Sequence, residues 1–283
     1  MIKYSILVPV YNKLEYLKKY FKYIQNQSYD NYEIIVVDDC SNDGSYEYLK
    51  SLDDQRLRVY RNHHNVGLGE NRNVLLSHAK GEYVLFIDPD DYIETELLAQ
   101  IDKENNNLDI IRYQNVIEPV TPNQKLLEYG KDMHRYSVSP TNIINGEEAL
   151  LNWCLGERKI NTFPWTYAIK RELYDGVRYP NTNILEDFAI TPYLIAKSEK
   201  VKAISFTGYH YMKYDDSLSI NNNDLEYKKK KLAIFKEIIS LAEYYICQTN
   251  ISDTAKMIYI DDIHKRYKIR EQKIIDATKG RLK

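Results

Sequence analysis

The sequence predicts an α/β fold, with a mostly parallel central sheet, flanking helices and a C-terminal helical segment. Two observations point there. Short apolar runs recur within the first 90 residues, at Ile6–Val10, in YEIIVVDD (32–39), in LRVYRN (57–62) and in YVLFI (83–87). Segments with apolar residues at helical spacing separate them. Runs that are apolar on both faces suit parallel strands covered on each side by helices.

The elements follow in order. Pro9 and Asn12 close the first strand, and Leu14, Leu17, Phe21 and Ile24 mark a helix over 13–27. After the second strand, Ser41 to Ser45 form a turn, and Ser45 is expected to cap a short helix holding Tyr48, Leu49 and Leu52. GLGENRNVLLSHA (67–79) reads as a glycine-opened helix that Gly81 ends. Beyond residue 108 the pattern loosens. Residues 108–118 read as a strand, and 119–145 form a polar stretch with Pro119, Pro122 and Pro140. A helix over 146–156 follows, then FPWTYAIKREL (163–173), an apolar helix in EDFAITPYLIAKSEKV (186–201) and a strand-like GYHYMKY (208–214). NNND (221–224) reads as a linker, and helices run from Glu226 onward.

At 283 residues the chain suffices for one large domain or two moderate ones. A formal net charge of −2 gives no whole-chain argument for nucleic acid. The tail from Glu226 carries 14 Lys and Arg against 8 Asp and Glu, a net +6 that leaves −8 elsewhere. Its run Lys228–Lys231 reads as a solvated helix face or as a contact for an anionic membrane surface. Cys40, Cys154 and Cys247 are isolated, which argues against a disulfide framework and for a reducing cytosol. The six histidines (63, 64, 78, 134, 210 and 264) show no zinc-type spacing. The opening apolar stretch is too short for a signal peptide, and no run suggests a membrane-spanning helix.

Ligands of doubly covered sheets bind beyond the carboxyl ends of the strands. Asn12, Asp38, Asp39 and the Asp88–Asp91 cluster all stand there. Burying an unpaired carboxylate is costly, so acids that close the apolar run VLFI demand a reason. Asp88, Asp90 and Asp91 are either a solvated Asp-Pro-Asp turn or a site for Mg²⁺ or Mn²⁺ and a diphosphate, since hard cations favour carboxylate oxygens. Asp38 and Asp39 are either turn-capping residues or hydrogen-bond partners of a nucleotide base or ribose. In HNVGLGENRN, Arg72 stands where a dinucleotide fingerprint needs its third glycine, and no Walker lysine motif appears. Arg72 is either a surface residue or a partner of phosphate or of the aspartates. Glu186 and Asp187 either complement a helix dipole or supply a general base. Trp165 is either core or ligand platform.

SILVPVYNKLEYL, IIVVDDCSNDGS, NVGLGENRN, GEYVLFIDPDD, WTYAIKREL and LEDFAITPYL occur together and in order. Over residues 3–220 the chain resembles family 2 glycosyltransferases of the GT-A fold, particularly bacterial enzymes that build capsular or other surface polysaccharides. The resemblance implies an inverting, metal-dependent transfer from a UDP-sugar of the glucose, galactose or N-acetylhexosamine type. It implies that Pro9, Tyr11, Asn12 and Asp39 surround uracil and ribose, with Asp38 assisting. Arg72 then matches an arginine near the nucleotide or the acidic cluster. Asp88 and Asp90 match the two acids of a DxD motif, with Asp90 the direct ligand of Mn²⁺ or Mg²⁺ and Asp91 near the donor sugar. Asp187 matches a catalytic base, Glu186 positions it or touches the acceptor, and Trp165 shapes the acceptor side. Cys40 stands where relatives carry glycine, and Asn71 where alanine is common before the arginine.

Residues 1–110 are accordingly expected to form the nucleotide-sugar half, 111–220 the acceptor half completing the domain, and 221–283 a helical extension. Expected partners are the UDP-sugar and a glycan, lipid-linked or protein-linked acceptor, with no nucleic acid. A cytoplasmic location, peripheral membrane contact through the basic tail and a homodimer are compatible with the sequence. Two alternatives stay open: another nucleotide-sugar enzyme such as a nucleotidyltransferase, and a non-catalytic nucleotide-sugar-binding partner of another transferase. The first usually shows a glycine-rich basic loop after strand one, which PVYNKLEYL lacks. Intact acids at 88, 90 and 187 argue against the second.

Overall fold

A computed structural model describes residues 1–120, 140–155, 162–214 and 225–280. Most of the polar stretch read at 119–145, the linker at 221–224 and His134 lie outside them. Among the described residues, eight strands build one sheet: β1 (Tyr4–Val10), β2 (Tyr32–Asp38), β3 (Leu57–Arg61), β4 (Tyr83–Phe86), β5 (Tyr92–Ile93), β6 (Ile110–Pro119), β7 (Tyr167–Lys170) and β8 (Val201–Lys213). Their spatial order is β3-β2-β1-β4-β7-β6-β8-β5. The helices are α1 (Leu14–Gln25), α2 (Ser45–Ser51), α3 (Leu68–His78), α4 (Leu97–Glu104), α5 (Gly146–Leu155), α6 (Glu186–Lys197), α7 (Leu225–Cys247) and α8 (Asp253–Gly280).

β1, β2 and β4 are buried throughout, and their side chains divide with period two. Tyr4, Ile6, Val8, Ile34, Val36, Tyr83 and Leu85 face the core under α1 and α4. Leu7, Ile35, Val37, Val84 and Phe86 face the core under α6, α7 and α8. β1 pairs in parallel with β2 and β4, and β2 with β3. The predicted parallel sheet therefore describes the first half. The second half is mixed: β7 runs antiparallel to β4 and β6, while β8 is parallel to β6 and antiparallel to β5. One sheet thus runs through both halves of the sequence.

Several local expectations are corrected. α2 is not capped by Ser45; Gly44 precedes the helix at φ 90°, and Asp43 Oδ1 accepts the Ser45 N–H at 3.0 Å. α3 ends at His78 without Gly81. Gly81 instead lies against β1, where an added Cβ would fall 2.6 Å from the Ser5 nitrogen. The apolar helix read at 186–201 stops at Lys197, and β8 begins at Val201, seven residues before GYHYMKY.

The helical tail is part of the core. Phe235 of α7 meets Phe188 of α6 edge-on at 4.9 Å, and Tyr245 packs near Tyr193 at the same centroid distance. Ile238, Ile239, Ala242, Ile246, Ala255, Tyr259 and Ile263 are buried in the same cluster as Leu7 and Val37. Among the described residues, no helix is long and apolar enough to cross a membrane.

Candidate active site

The acids that close β4 divide by exposure. Ile87 is fully buried and donates to the Leu7 carbonyl at 3.0 Å, so the strand's pairing continues to the edge of the turn. The Asp88 and Asp90 side chains are 26% and 31% exposed, whereas Asp91 is 2% exposed. Asp91 accepts the Tyr209 hydroxyl at 2.6 Å and the Met212 N–H at 2.7 Å. It fastens the turn to β8 rather than opening toward the cleft, and burial pushes its carboxyl well up. Beneath it, Tyr209 stacks on Trp165 at 4.4 Å, and Trp165 stacks on Phe163 at 4.9 Å. Trp165 is 4% exposed, so the expected acceptor-side ring is a strut under the acidic turn.

Arg72 joins two acidic groups that lie far apart in sequence. It is 3% exposed, with Phe86 and Tyr179 rings at 5.5 and 5.7 Å from its guanidinium carbon. Its Nη1 pairs with Glu186, and its Nη2 lies 3.8 Å from Asp88 Oδ1. A buried cation needs such partners. Burial raises the Asp88 carboxyl to about 6 against the pull of Arg72. Asp187 follows Glu186 at the start of α6, where Leu185 holds φ 62°. Asp187 is 8% exposed and accepts the Thr162 hydroxyl at 3.2 Å. Burial, reinforced by Glu186 and opposed by Arg72, raises its carboxyl to about 8. A carboxylate tuned toward neutrality is matched to general-base work.

Just past the end of β2, Asp39 holds a loop in place. It accepts the Asn62 side-chain amide at 2.8 Å and the Val66 and Gly67 N–H groups at 2.9 Å each. It thereby fixes the loop that opens α3, the helix that carries Arg72. Asp38 is fully buried; its Oδ2 accepts the Ser41 N–H at 3.1 Å and lies 3.3 Å from Arg61 Nε. Its Oδ1 has no hydrogen-bond partner among the described residues. Asn12 holds φ 52° and links two loops, its N–H donating to Ser41 Oγ and its Oδ1 accepting from the Asn42 N–H. Pro9 is buried in β1, while Tyr11 is 48% exposed at the rim.

Asp90 carries an ion pair of its own, with Lys13 Nζ 2.5 Å from Oδ2. Burial opposes the charge on Lys13, but Asp90 outweighs it and the ammonium titrates above its usual range. Among the described residues, no group of three or more His, Cys, Asp or Glu side chains is gathered to hold a metal alone. Two partly exposed carboxylates, each with a cation standing against it, fit a hard divalent ion that completes its coordination with phosphate oxygens and water.

The family model for glycosyl transferase family 2 matches residues 5–166. The chain belongs to that family. Among curated relatives, the glycosyltransferase GlyG of Streptococcus pneumoniae is 28% identical over 246 residues, covering 83% of this chain and 79% of GlyG. The poly(ribitol-phosphate) beta-N-acetylglucosaminyltransferase TarS of Staphylococcus aureus is 32% identical over 157 residues, half of this chain and 27% of TarS. The crystal structure of TarS 1–349 with UDP-GlcNAc superposes with a TM-score of 0.74 at 20% identity, over 94% of this chain and 73% of that one. A mannosyltransferase from Pyrobaculum calidifontis, solved with GDP-Man and Mn²⁺, gives 0.61 at 16% identity, over 98% and 74%. The GT-A fold expected from the motifs is thereby established.

In this family 2 glycosyltransferase the structure brings Asp88, Asp90, Arg72, Glu186 and Asp187 together, with Asp38, Asp39, Asn12 and Tyr11 along the neighbouring strand ends. Asp91 and Trp165 lie beneath. Sequence reasoning missed Lys13, although it directly follows Asn12. It also missed Tyr209 and Thr162, and it read Lys231 only as part of the basic run Lys228–Lys231. Lys231 on α7 is partly buried; burial and Arg270 lower its ammonium, while Asp187 and Glu186 hold it up. Lys213, at the end of β8, is fully buried and donates to the Tyr211 hydroxyl at 3.1 Å. Burial lowers it to about 8 against the pull of Asp91 and Asp90.

Proposed function

We propose that the chain is an inverting, metal-dependent glycosyltransferase. It moves a glucose, galactose or N-acetylhexosamine-type sugar from a UDP-sugar to an acceptor hydroxyl in bacterial surface glycan or glycoconjugate synthesis. The observation that carries this reading is the Asp88–Arg72–Glu186 bridge, which sets the acidic turn beside Asp187. Tyr11 stacks on the uracil, while Asp38, Asp39 and Asn12 shape the pocket for base and ribose. Asp187 takes the proton from the acceptor hydroxyl as that oxygen attacks the anomeric carbon, and UDP leaves from the opposite face. Glu186, held by Arg72, orients α6 and keeps Asp187 in place. Asp88 and Asp90 would hold Mn²⁺ or Mg²⁺, which supplies positive charge to the diphosphate when bound. The UDP-GlcNAc complex of TarS and the Mn²⁺ complex of the mannosyltransferase support the choice of ligands.

A screen of UDP-glucose, UDP-galactose and UDP-N-acetylhexosamines with Mn²⁺ or Mg²⁺ tests the reading. One of them should raise the melting temperature and be slowly hydrolysed without acceptor. If none binds, the assignment fails. The acceptor is a glycan, lipid-linked or protein-linked hydroxyl, reached from the cytoplasmic face of the membrane. Because α7 belongs to the core, peripheral membrane contact is tested by changing the exposed Lys228, Lys229 and Lys230 to Gln rather than by deleting the tail. Unchanged binding to anionic liposomes would remove that contact.

A further inference from the structure

The Lys13–Asp90 pair has a geometry that a simple surface ion pair does not need. Lys13 is anchored at its backbone: its N–H donates to Ser45 Oγ at 3.0 Å, and its carbonyl accepts the Leu17 N–H at 2.9 Å. Only the side chain is free to change partner. Its ammonium stands 4.9 Å from the centre of the Tyr16 ring. The two carboxylates of the acidic turn already have separate cations, since Asp88 faces Arg72 and Asp90 faces Lys13. Arg72 is buried and held by Glu186, so it stays. Lys13 and Asp90 are each 31% exposed, so theirs is the bond that a ligand can reach and break.

We propose that Lys13 and a divalent cation are alternative occupants of Asp90, and that Lys13, once displaced, pairs with the diphosphate of the bound nucleotide. This rests on the proposed function. An ammonium offers a metal no ligand atom and repels it at ion-pair distance, so a metal on Asp90 and Lys13 Nζ on its Oδ2 oppose one another. Charge accounting points the same way. A metal and a diphosphate enter together, and the metal takes over the neutralisation of Asp90. The released ammonium is then left next to the excess negative charge of the phosphates. A flexible lysine with three donors suits such a hand-over, whereas a fixed guanidinium fork does not. Lys13 is then a nucleotide-binding residue whose availability depends on metal.

Two titrations of the full chain and of Lys13→Met test this, with thermal unfolding to show that the variant folds. Free Mn²⁺ is followed by electron paramagnetic resonance in the absence of nucleotide. Lys13→Met should bind Mn²⁺ about fivefold more tightly than wild type, because no partly exposed ion pair has to break. At saturating Mn²⁺, calorimetry should find UDP bound about tenfold more weakly by Lys13→Met, the loss of one charge-assisted contact to phosphate. Lys13→Arg, which keeps the charge, should recover most of that affinity. Equal Mn²⁺ affinities without nucleotide would overturn the proposal, and so would equal UDP affinities with Mn²⁺. Either outcome leaves the proposed function standing, provided that UDP binds. If neither protein binds UDP, the proposed function itself falls.

Discussion

Asp39 and Asp90 each stand just past the carboxyl end of a parallel strand, one after β2 and the other after β4. Asp39 is 2% exposed and receives three N–H donors, two of them from the backbone of the loop that opens α3. Asp90 is 31% exposed and faces one lysine ammonium. The difference lies in the donors. Backbone N–H groups cannot leave without unfolding the loop, so Asp39 is bound into the scaffold. A lysine head can leave, so Asp90 is free to take a ligand. The same division separates Asp91, held by Tyr209 and Met212, from its neighbours Asp88 and Asp90.

Five substitutions probe this division. The largest effect is expected on chemistry. Asp187→Asn should lower sugar transfer by about a hundred- to ten-thousandfold, the range of general-base loss, while UDP binding persists. Near-normal transfer would show that the base lies elsewhere. In the wild type the base works deprotonated and its carboxyl is raised to about 8. The transfer rate should therefore climb with pH up to that region, and the limb should vanish in Asp187→Asn.

Next comes the bridge. Arg72→Met strands Glu186 and Asp88 without their buried cation and should cost about 3–5 kcal/mol, measured by denaturant unfolding. The comparison itself is tested by a pair of equal changes. Asp39→Asn mismatches a buried acceptor with its donors and should cost about 2–3 kcal/mol. Asp90→Asn should stay within about 1 kcal/mol, because it loses only a partly exposed ion pair. Equal losses would show that exposure and donor type do not separate scaffold from site. The smallest effect concerns Cys40, held at φ 63°. Cys40→Gly should stabilise by about 0.5 kcal/mol, because relief of the left-handed backbone outweighs the flexibility glycine adds to the unfolded chain.

The first half of the fold was legible because its strands are apolar on both faces and end in polar turns. Asp88, Asp90, Asp38 and Asp39 could be placed at strand ends on that basis alone. The second half was harder. β8 changes its buried face along its length, so only its last residues looked like a strand. β5 has two residues and exists through its pairing with Tyr209 and His210. The motif order drew Glu186 and Asp187 toward the acidic turn, but the physical link is Arg72, whose partner Glu186 stands 114 positions along the chain. Lys13 and Tyr209 carried no local signal of their partners, because those contacts form only when distant strand ends converge. Trp165 kept both readings until its stacking on Tyr209 was visible.

The packing of α7 and α8 sets a limit on how this protein can be divided. The family match ends at residue 166, before α6, β8 and the tail. Phe235, Ile239, Ile246 and Ile263 lie in the same apolar cluster as the strands that carry the acids. At about 1.5–3 kcal/mol per buried side chain, removing the tail would forfeit more than a domain's entire margin of stability. A fragment cut at the motif boundary would be a sheet missing β7, β8 and its helical cover, and a chimera that exchanged tails would have to re-form the surface of α6. Whatever the tail contacts outside the molecule, its sequence is constrained first by the helix that begins with Glu186 and Asp187.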